Sequence, residues 1–82
     1  DDERVIFADT LNNRLQITDK DFSEFSTIGR HGSGIGEFDC PTGIVQVNHS
    51  ALGQCLAVTD SGNHRVQVIT RQYTLYMYSC IV

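Results

Sequence analysis

Two stretches of the chain alternate apolar and polar residues with a period of two. They are residues 5–18 (VIFADTLNNRLQIT) and residues 56–69 (LAVTDSGNHRVQVI). In each stretch the apolar side chains fall on one face of an extended chain, and the arginine and glutamine fall on the other. A central run of Asp, Asn, Ser and Gly interrupts both stretches, and these residue types favour tight turns. The pattern therefore predicts a β-hairpin in each stretch.

The two hairpins are copies of one repeat, since they align without a gap at the offset that separates Asp9 from Asp60. An active site needs one asymmetric constellation, whereas a repeat needs the same brace in every unit. We therefore expect structural roles, with each aspartate capping its turn and each arginine packing across neighbouring units. The identical pairs are Asp9 and Asp60, Asn12 and Asn63, Arg14 and Arg65, and Gln16 and Gln67.

The segments around the hairpins extend the strand pattern, and no segment shows a helical period. Short strands punctuated by Gly, Asn and Asp are typical of antiparallel all-β architecture, and the repeat favours a propeller. The expected order is three strands, a long loop and three strands. The flanking elements are a turn at 19–21, a strand at 22–28, a flexible glycine-rich connection at 29–41 anchored by Phe38 and Pro41, a strand from 42 to 47, and a turn at 48–54.

The residues around the second hairpin resemble a known repeat family. Residues 29–47 (GRHGSGIGEFDCPTGIVQV) and 56–68 (LAVTDSGNHRVQV) are similar to an NHL repeat, a β-propeller repeat named for its Asn-His-Leu motif. The motif positions read Asn63-His64-Arg65 in one copy and Asn12-Asn13-Arg14 in the other. The resemblance covers residues 4–70 and is greatest to the propellers of tripartite-motif (TRIM) NHL proteins.

This resemblance implies an all-β fold of antiparallel propeller blades, an incomplete propeller of about two blades. The first strand of the first blade is missing, and the tail departs from the family pattern, so we expect a fragment of a longer chain. The remaining blades would then come from that longer chain or from self-association. The implied division is a partial first blade at 4–31, an inter-blade loop and first strand at 32–47, the rest of the second blade at 48–70, and a divergent tail with a possible outer strand at 71–82.

The resemblance also implies a non-catalytic binding module. TRIM-type proteins carry a RING ubiquitin-ligase module elsewhere in the chain, and their propellers recognise a protein substrate or a single-stranded or hairpin RNA. Residues on or beside the inter-strand loops are the candidates for ligand contact, because arginine both contacts phosphate and stacks on bases. Protein contact and bracing of the repeat remain open for the same side chains. The candidate ligand-binding residues are Arg30, His31, Asn13 and His64.

Two other function classes stay open. The lyase domain of peptide-amidating enzymes, which acts on peptidyl-hydroxyglycine, is also an NHL-like propeller and uses zinc, and a purely structural scaffold needs no ligand. The spacing of His31, His49 and His64 is not that of a metal site, so we expect neither metal nor cofactor. The run Gly32–Gly36 lacks both the spacing and the following helix of a phosphate-binding loop. We predict no catalytic residue.

Composition and charge restrict the ligands and the cellular compartment that we expect for the protein. The chain has 82 residues and a net charge of −4, which argues against nucleic-acid binding over the whole surface. Neither a secretory signal nor a stretch long enough to cross a bilayer is visible, so we expect a cytoplasmic protein without membrane contact. Cys40, Cys55 and Cys80 are odd in number and widely spaced, which favours buried or half-buried free thiols over a disulfide framework.

Overall fold

The computed structural model describes residues 4–70 and the backbone of residues 75–78. The first hairpin belongs to a three-stranded antiparallel sheet in the order β1-β2-β3. The register places Asp9 opposite Arg14 and Phe7 opposite Gln16, so the alternating side chains of the two strands share faces as the sequence predicts. The strands of this sheet are β1 (Arg4–Asp9), β2 (Arg14–Asp19) and β3 (Phe25–Ile28).

The second hairpin belongs to a four-stranded antiparallel sheet in the order β4-β5-β6-β7. Asp60 lies opposite Arg65 and Val58 opposite Gln67, which repeats the register of the first hairpin. The strands are β4 (Pro41–His49), β5 (Gly53–Asp60), β6 (Arg65–Thr70) and β7 (Leu75–Tyr78). β7 lies at the edge of the sheet, within the tail of residues 71–82, whose other residues lie outside the described part. The prediction of an antiparallel all-β fold is confirmed.

Each hairpin turns through a single turn of 3₁₀ helix, Thr10–Asn12 in the first copy and Ser61–Asn63 in the second. The left-handed residue that closes each turn is Asn13 or His64, with φ of 57° and 55°. The expectation that the aspartates cap these turns is wrong, because neither Asp9 nor Asp60 bonds to the turn backbone through its side chain. Each aspartate instead accepts hydrogen bonds from neighbouring side chains of its own hairpin.

Three predicted boundaries differ from the structure. The strand predicted at 22–28 begins at Phe25, because Phe22 adopts a left-handed φ of 55° in a turn closed by its amide and the Asp19 carbonyl oxygen, 3.1 Å apart. The side chain of Asp19 also accepts bonds from the amide and hydroxyl of Ser23. β4 starts at Pro41, so the loop is shorter by one residue. The turn predicted at 48–54 narrows to 50–52.

The core lies between the two sheets. One face of the first sheet packs against the face of the second sheet that carries Asp60, and the ring of Phe38 fills the space between them. Leu15, Phe38, Val58 and Ile69 are fully buried, so the apolar face predicted for β2 is confirmed. The partly buried side chains that complete the cluster are Ala8 and Ile28 from the first sheet and Ile44 and Leu56 from the second.

Both outer faces of this two-sheet stack carry exposed apolar side chains. Val5, Phe7 and Phe25 are 38%, 37% and 54% exposed on the first sheet, and the rings of Phe7 and Phe25 meet edge to face at 6.5 Å. Val45 and Val47 are 61% and 37% exposed on the second sheet. The two copies of the repeat therefore differ in exposure. The face that carries Val58 in the second sheet is buried, whereas the equivalent face of the first sheet, which carries Phe7, is partly exposed.

Candidate functional site

The candidate site is the loop end, which we define as the loop at 29–40 together with the turn residues 9–14 and 60–65. The loop folds back on itself, since the Phe38 amide donates to the Arg30 carbonyl oxygen at 2.8 Å and the Gly32 amide to the Phe38 carbonyl oxygen at 3.1 Å. Burial of Phe38 and Pro41 fixes its far end, as the sequence predicts. The sequence predicts a flexible connection, but in the structure hydrogen bonds from the second hairpin hold the loop along its length.

Arg65 makes the densest set of these bonds. Its guanidinium donates from Nε to Asp60 Oδ2 at 2.7 Å and from Nη1 to the Ser33 carbonyl oxygen at 2.7 Å. Its Nη2 donates to the carbonyl oxygens of Gly34 and Glu37 at 2.7 and 2.8 Å. The side chain is only 9% exposed. Arg65 therefore fastens the glycine-rich loop to its own hairpin.

The other three repeat identities of the second copy bind the same loop. Asn63 donates to the Gly32 carbonyl oxygen at 2.8 Å. Gln67 accepts from the Gly36 amide at 3.0 Å and donates to the Glu37 carbonyl oxygen at 2.7 Å. Asp60 Oδ1 accepts from the Asp39 amide at 2.7 Å. All four identities of the repeat are thus loop-binding residues, joined to one another through the Asp60 carboxylate.

The Asp60 carboxylate is completely buried, yet it stays acidic. Burial by itself disfavours the charged form, but the bonds from the Asp39 amide, Asn63 and Arg65 outweigh it and hold the pKa below the usual 3.8. A buried carboxylate with this many donors is a fixed structural anion.

The first copy has the same four side chains in a different setting. Arg14 Nε, Gln16 Nε2 and Asn12 Nδ2 each donate to Asp9 at 3.0 Å. These bonds, from Arg14 first, lower the pKa of Asp9 below its usual value. The Arg14 side chain is 39% exposed, against 9% for Arg65. Within the described residues, the four side chains of the first copy bond only to one another.

The structure brings the four predicted ligand-binding residues to the loop end. The Arg30 side chain is 83% exposed, and its Nε lies 3.0 Å from Glu37 Oε2. The His31 side chain is 68% exposed, with Nε2 3.9 Å from Asp39 Oδ1. His64 is exposed at the end of its turn, whereas Asn13 is engaged in the fold through a 2.9 Å bond from the Cys40 amide to its Oδ1.

The loop end carries slightly more negative than positive charge. Three arginines share this surface with four carboxylates, and each arginine lies within 3.0 Å of one of them. Glu37 accepts from the Gly34 amide and from Arg30, and these bonds lower its pKa, so it remains ionised beside Arg30. The charged residues are Asp9, Arg14, Arg30, Glu37, Asp39, Asp60 and Arg65. The loop end is a polar surface without a net positive field.

Sequence reasoning missed two acidic residues that shape the loop. Glu37 accepts from the Gly34 amide at 2.9 Å and pairs with Arg30, and the Asp39 carbonyl oxygen accepts from the Gly62 amide at 2.7 Å. A Cβ at Gly62 would lie 2.6 Å from that carbonyl oxygen, so close approach, not a left-handed φ, requires glycine there. Neither acid has a repeat partner in the chain, which is why the internal alignment could not reveal them.

The cysteines and histidines add no further site. Cys55 is buried with a free thiol, as predicted, whereas Cys40 is exposed and that part of the prediction is wrong. Desolvation and the neighbouring Asp39 raise the pKa of Cys40. Cys80 lies outside the described residues. In the part of the chain that the structure covers, no three histidine, cysteine or acidic residues are grouped to hold a metal ion.

Comparison with protein-family models finds no match for this chain, and comparison with curated proteins finds none either. Among residues 4–70 and 75–78, no helix has the length and apolar character needed to cross a bilayer. The described residues form two antiparallel sheets, and the function is inferred from the loop end.

Proposed function

We propose that this chain is a non-catalytic recognition module whose loop end binds a protein partner. The observation that carries this proposal is the pairing of exposed basic groups with acids, above all Arg30 with Glu37 at 3.0 Å. Such a surface offers hydrogen-bond donors and acceptors of both signs, as polar protein interfaces do. The two sheets act as successive blades of an NHL-type propeller in a longer cytoplasmic polypeptide.

The charge balance favours a protein over RNA as the ligand. RNA binding draws its affinity from arginine and lysine groups that neutralise phosphates. At the loop end every arginine already has a carboxylate neighbour, and the described loop carries no lysine. The resemblance to TRIM-type propellers adds the expectation that a RING module elsewhere in the longer polypeptide transfers ubiquitin to the bound protein.

Two further features support a binding role rather than catalysis. The buried Asp60 carboxylate accepts hydrogen bonds from the Asp39 amide, Asn63 and Arg65, so it is not placed to exchange a proton with a substrate. The same arrangement of side chains recurs at Asp9. Recurrence of a group in every unit is typical of a structural brace.

The test is selection of peptide ligands from a random library on the 82-residue chain, followed by affinity measurements on variants. Arg30→Ala and the double variant His31→Ala/His64→Asn remove exposed side chains, and asparagine tolerates the left-handed conformation of His64. We expect each variant to weaken peptide binding at least tenfold and to leave the melting temperature unchanged. His49→Ala, at the opposite end of β4, is the matched control and should bind normally.

Filter binding with single-stranded and hairpin RNA completes the test. Weak, strongly salt-dependent RNA binding that is unaffected by Arg30→Ala supports the protein assignment. Tight RNA binding that is lost in Arg30→Ala and His31→Ala, with peptide binding insensitive to both, would replace the protein ligand with RNA.

A further inference from the structure

The two copies of the repeat differ in what their shared side chains hold. In the second copy, Asp60, Asn63, Arg65 and Gln67 bind six backbone groups of the loop segment 32–39. These groups are the carbonyl oxygens of Gly32, Ser33, Gly34 and Glu37 and the amides of Gly36 and Asp39. In the first copy no backbone group of the described residues makes the corresponding bonds to Asp9, Asn12, Arg14 or Gln16.

The side chains of the first copy are already arranged as in the loop-bound copy. The aspartate accepts from the asparagine, the arginine Nε and the glutamine in both copies, at 3.0 Å in each of the three bonds to Asp9 and at 2.7 to 3.2 Å to Asp60. The terminal nitrogens of Arg14 take part in none of the hydrogen bonds of the described residues, whereas those of Arg65 hold three carbonyl oxygens. A receptor that needs no rearrangement loses little conformational entropy on binding.

The apolar surface beside these four side chains also differs between the two copies. In the second copy Phe38 of the loop packs against Val58 and Ile69, which are fully buried. The residue that aligns with Val58 is Phe7, and it is 37% exposed. An aromatic side chain arriving with a loop would cover Phe7 as Phe38 covers Val58.

We propose that Asp9, Asn12, Arg14 and Gln16 form a docking site for a glycine-rich peptide loop with the backbone chemistry of residues 32–39. The occupant is a segment of polypeptide outside these 82 residues. Glycine suits this segment because its backbone has a positive φ at Gly32 and Gly36, 156° and 81°, and a Cβ at Gly32 would displace the Glu37 side chain. A phenylalanine near the end of the segment supplies the apolar contact. This inference does not depend on the proposed function, since it uses neither Arg30 nor His64.

The probe is a labelled peptide with the sequence of residues 29–39, GRHGSGIGEFD, titrated into the 82-residue chain. We expect saturable binding that weakens at least tenfold in Arg14→Ala and in Asp9→Asn. A peptide carrying Phe38→Ala should bind at least tenfold more weakly. Gln46→Ala in the chain is the control, because it removes an exposed polar side chain of β4 in the other sheet, away from the docking site, and it should bind the peptide normally.

Chemical-shift mapping by NMR locates the peptide and guards against loss of folding in the variants. Shifts confined to the side chains around Asp9 and Phe7 support the proposal, and Arg14→Lys, which keeps the charge but not the guanidinium fork, should give an intermediate loss. Absence of binding, or binding that survives Arg14→Ala, would overturn it. A dimer that the peptide dissociates would show instead that a second copy supplies the loop, and the assignment to outside polypeptide would be wrong.

Discussion

Arg65 and Asp60 form a buried ion pair, with Nε 2.7 Å from Oδ2 and side chains 9% and 0% exposed. Carbonyl oxygens of the glycine-rich loop accept from both terminal nitrogens of the arginine, and among the described residues no buried side-chain nitrogen or oxygen lacks a hydrogen-bond partner. The equivalent pair of the first sheet, Arg14 and Asp9, has the same geometry at 3.0 Å but stays partly exposed.

Arg65→Ala should destabilise the protein far more than Arg14→Ala. Removing Arg65 leaves the Asp60 carboxylate buried without its counter-ion and costs about 3–5 kcal/mol, a large share of the stability of a small domain. Removing Arg14 leaves a carboxylate that water can reach. Urea denaturation of the two variants measures the contrast, and equal losses would show that the buried pair has no special role.

The carboxylates make stability depend on pH in the acid range. The pKa values of Asp9 and Asp60 are lowered in the folded state, so their contribution is complete above their ordinary value of 3.8 and is lost as the pH falls through the folded values. We expect this carboxylate contribution to the urea midpoint to be constant at pH 5 and above and to fall steeply below about pH 4. Asp9→Asn should reduce the steepness, and an unchanged profile in that variant would contradict the assignment.

Phe38 joins the loop to the core, so its truncation should cost stability out of proportion to its place in a loop. Phe38→Ala removes a fully buried ring between the two sheets, and such cavities cost about 3–5 kcal/mol. Ile35→Ala in the same loop is the matched control, because Ile35 is 63% exposed and its removal should change the melting temperature little. Similar losses in both variants would argue against the core position of Phe38.

Substitution of two glycines by alanine distinguishes the cost of backbone strain from the cost of a steric clash. Gly29 and Gly53 both have positive φ, 91° and 77°, but a Cβ at Gly29 would strike the Phe38 ring, whereas nothing lies within 4 Å of one at Gly53. Gly53→Ala should therefore cost about 1–2 kcal/mol from backbone strain alone. Gly29→Ala should cost clearly more. Thermal denaturation of both variants checks the order, and a reversed order would show that the Phe38 ring adapts.

The alternating pattern was enough to predict most of the fold. Period-two alternation at 5–18 and 56–69 fixes which side chains share a face, so both hairpins and the burial of Leu15 followed directly. Boundaries failed where one local bond overrode the pattern, as at Phe22, where the Asp19 turn delays β3 by three residues. A single phenylalanine in the sequence does not distinguish a turn from a strand.

The candidate site was less accessible to sequence reasoning. The repeat identified Asp60, Asn63, Arg65 and Gln67 as braces, but it gave no indication of what they hold. Their partners are backbone groups, which every residue carries and no pattern of side chains marks. Arg30 and His31 were found as loop residues, whereas their acidic neighbours Glu37 and Asp39 lie at spacings that only the folded loop brings close.

By itself the sequence determined an antiparallel all-β chain with a duplicated hairpin, because strand periodicity and turn chemistry are local properties. The tertiary structure alone decided that the two copies are not equivalent. The loop at 29–40 covers the second copy and buries Arg65, while Arg14 stays half exposed beside the same aspartate, asparagine and glutamine of the repeat. Burial depends on which distant segment arrives at a surface, and identical motifs therefore became a closed brace in one sheet and an open surface in the other.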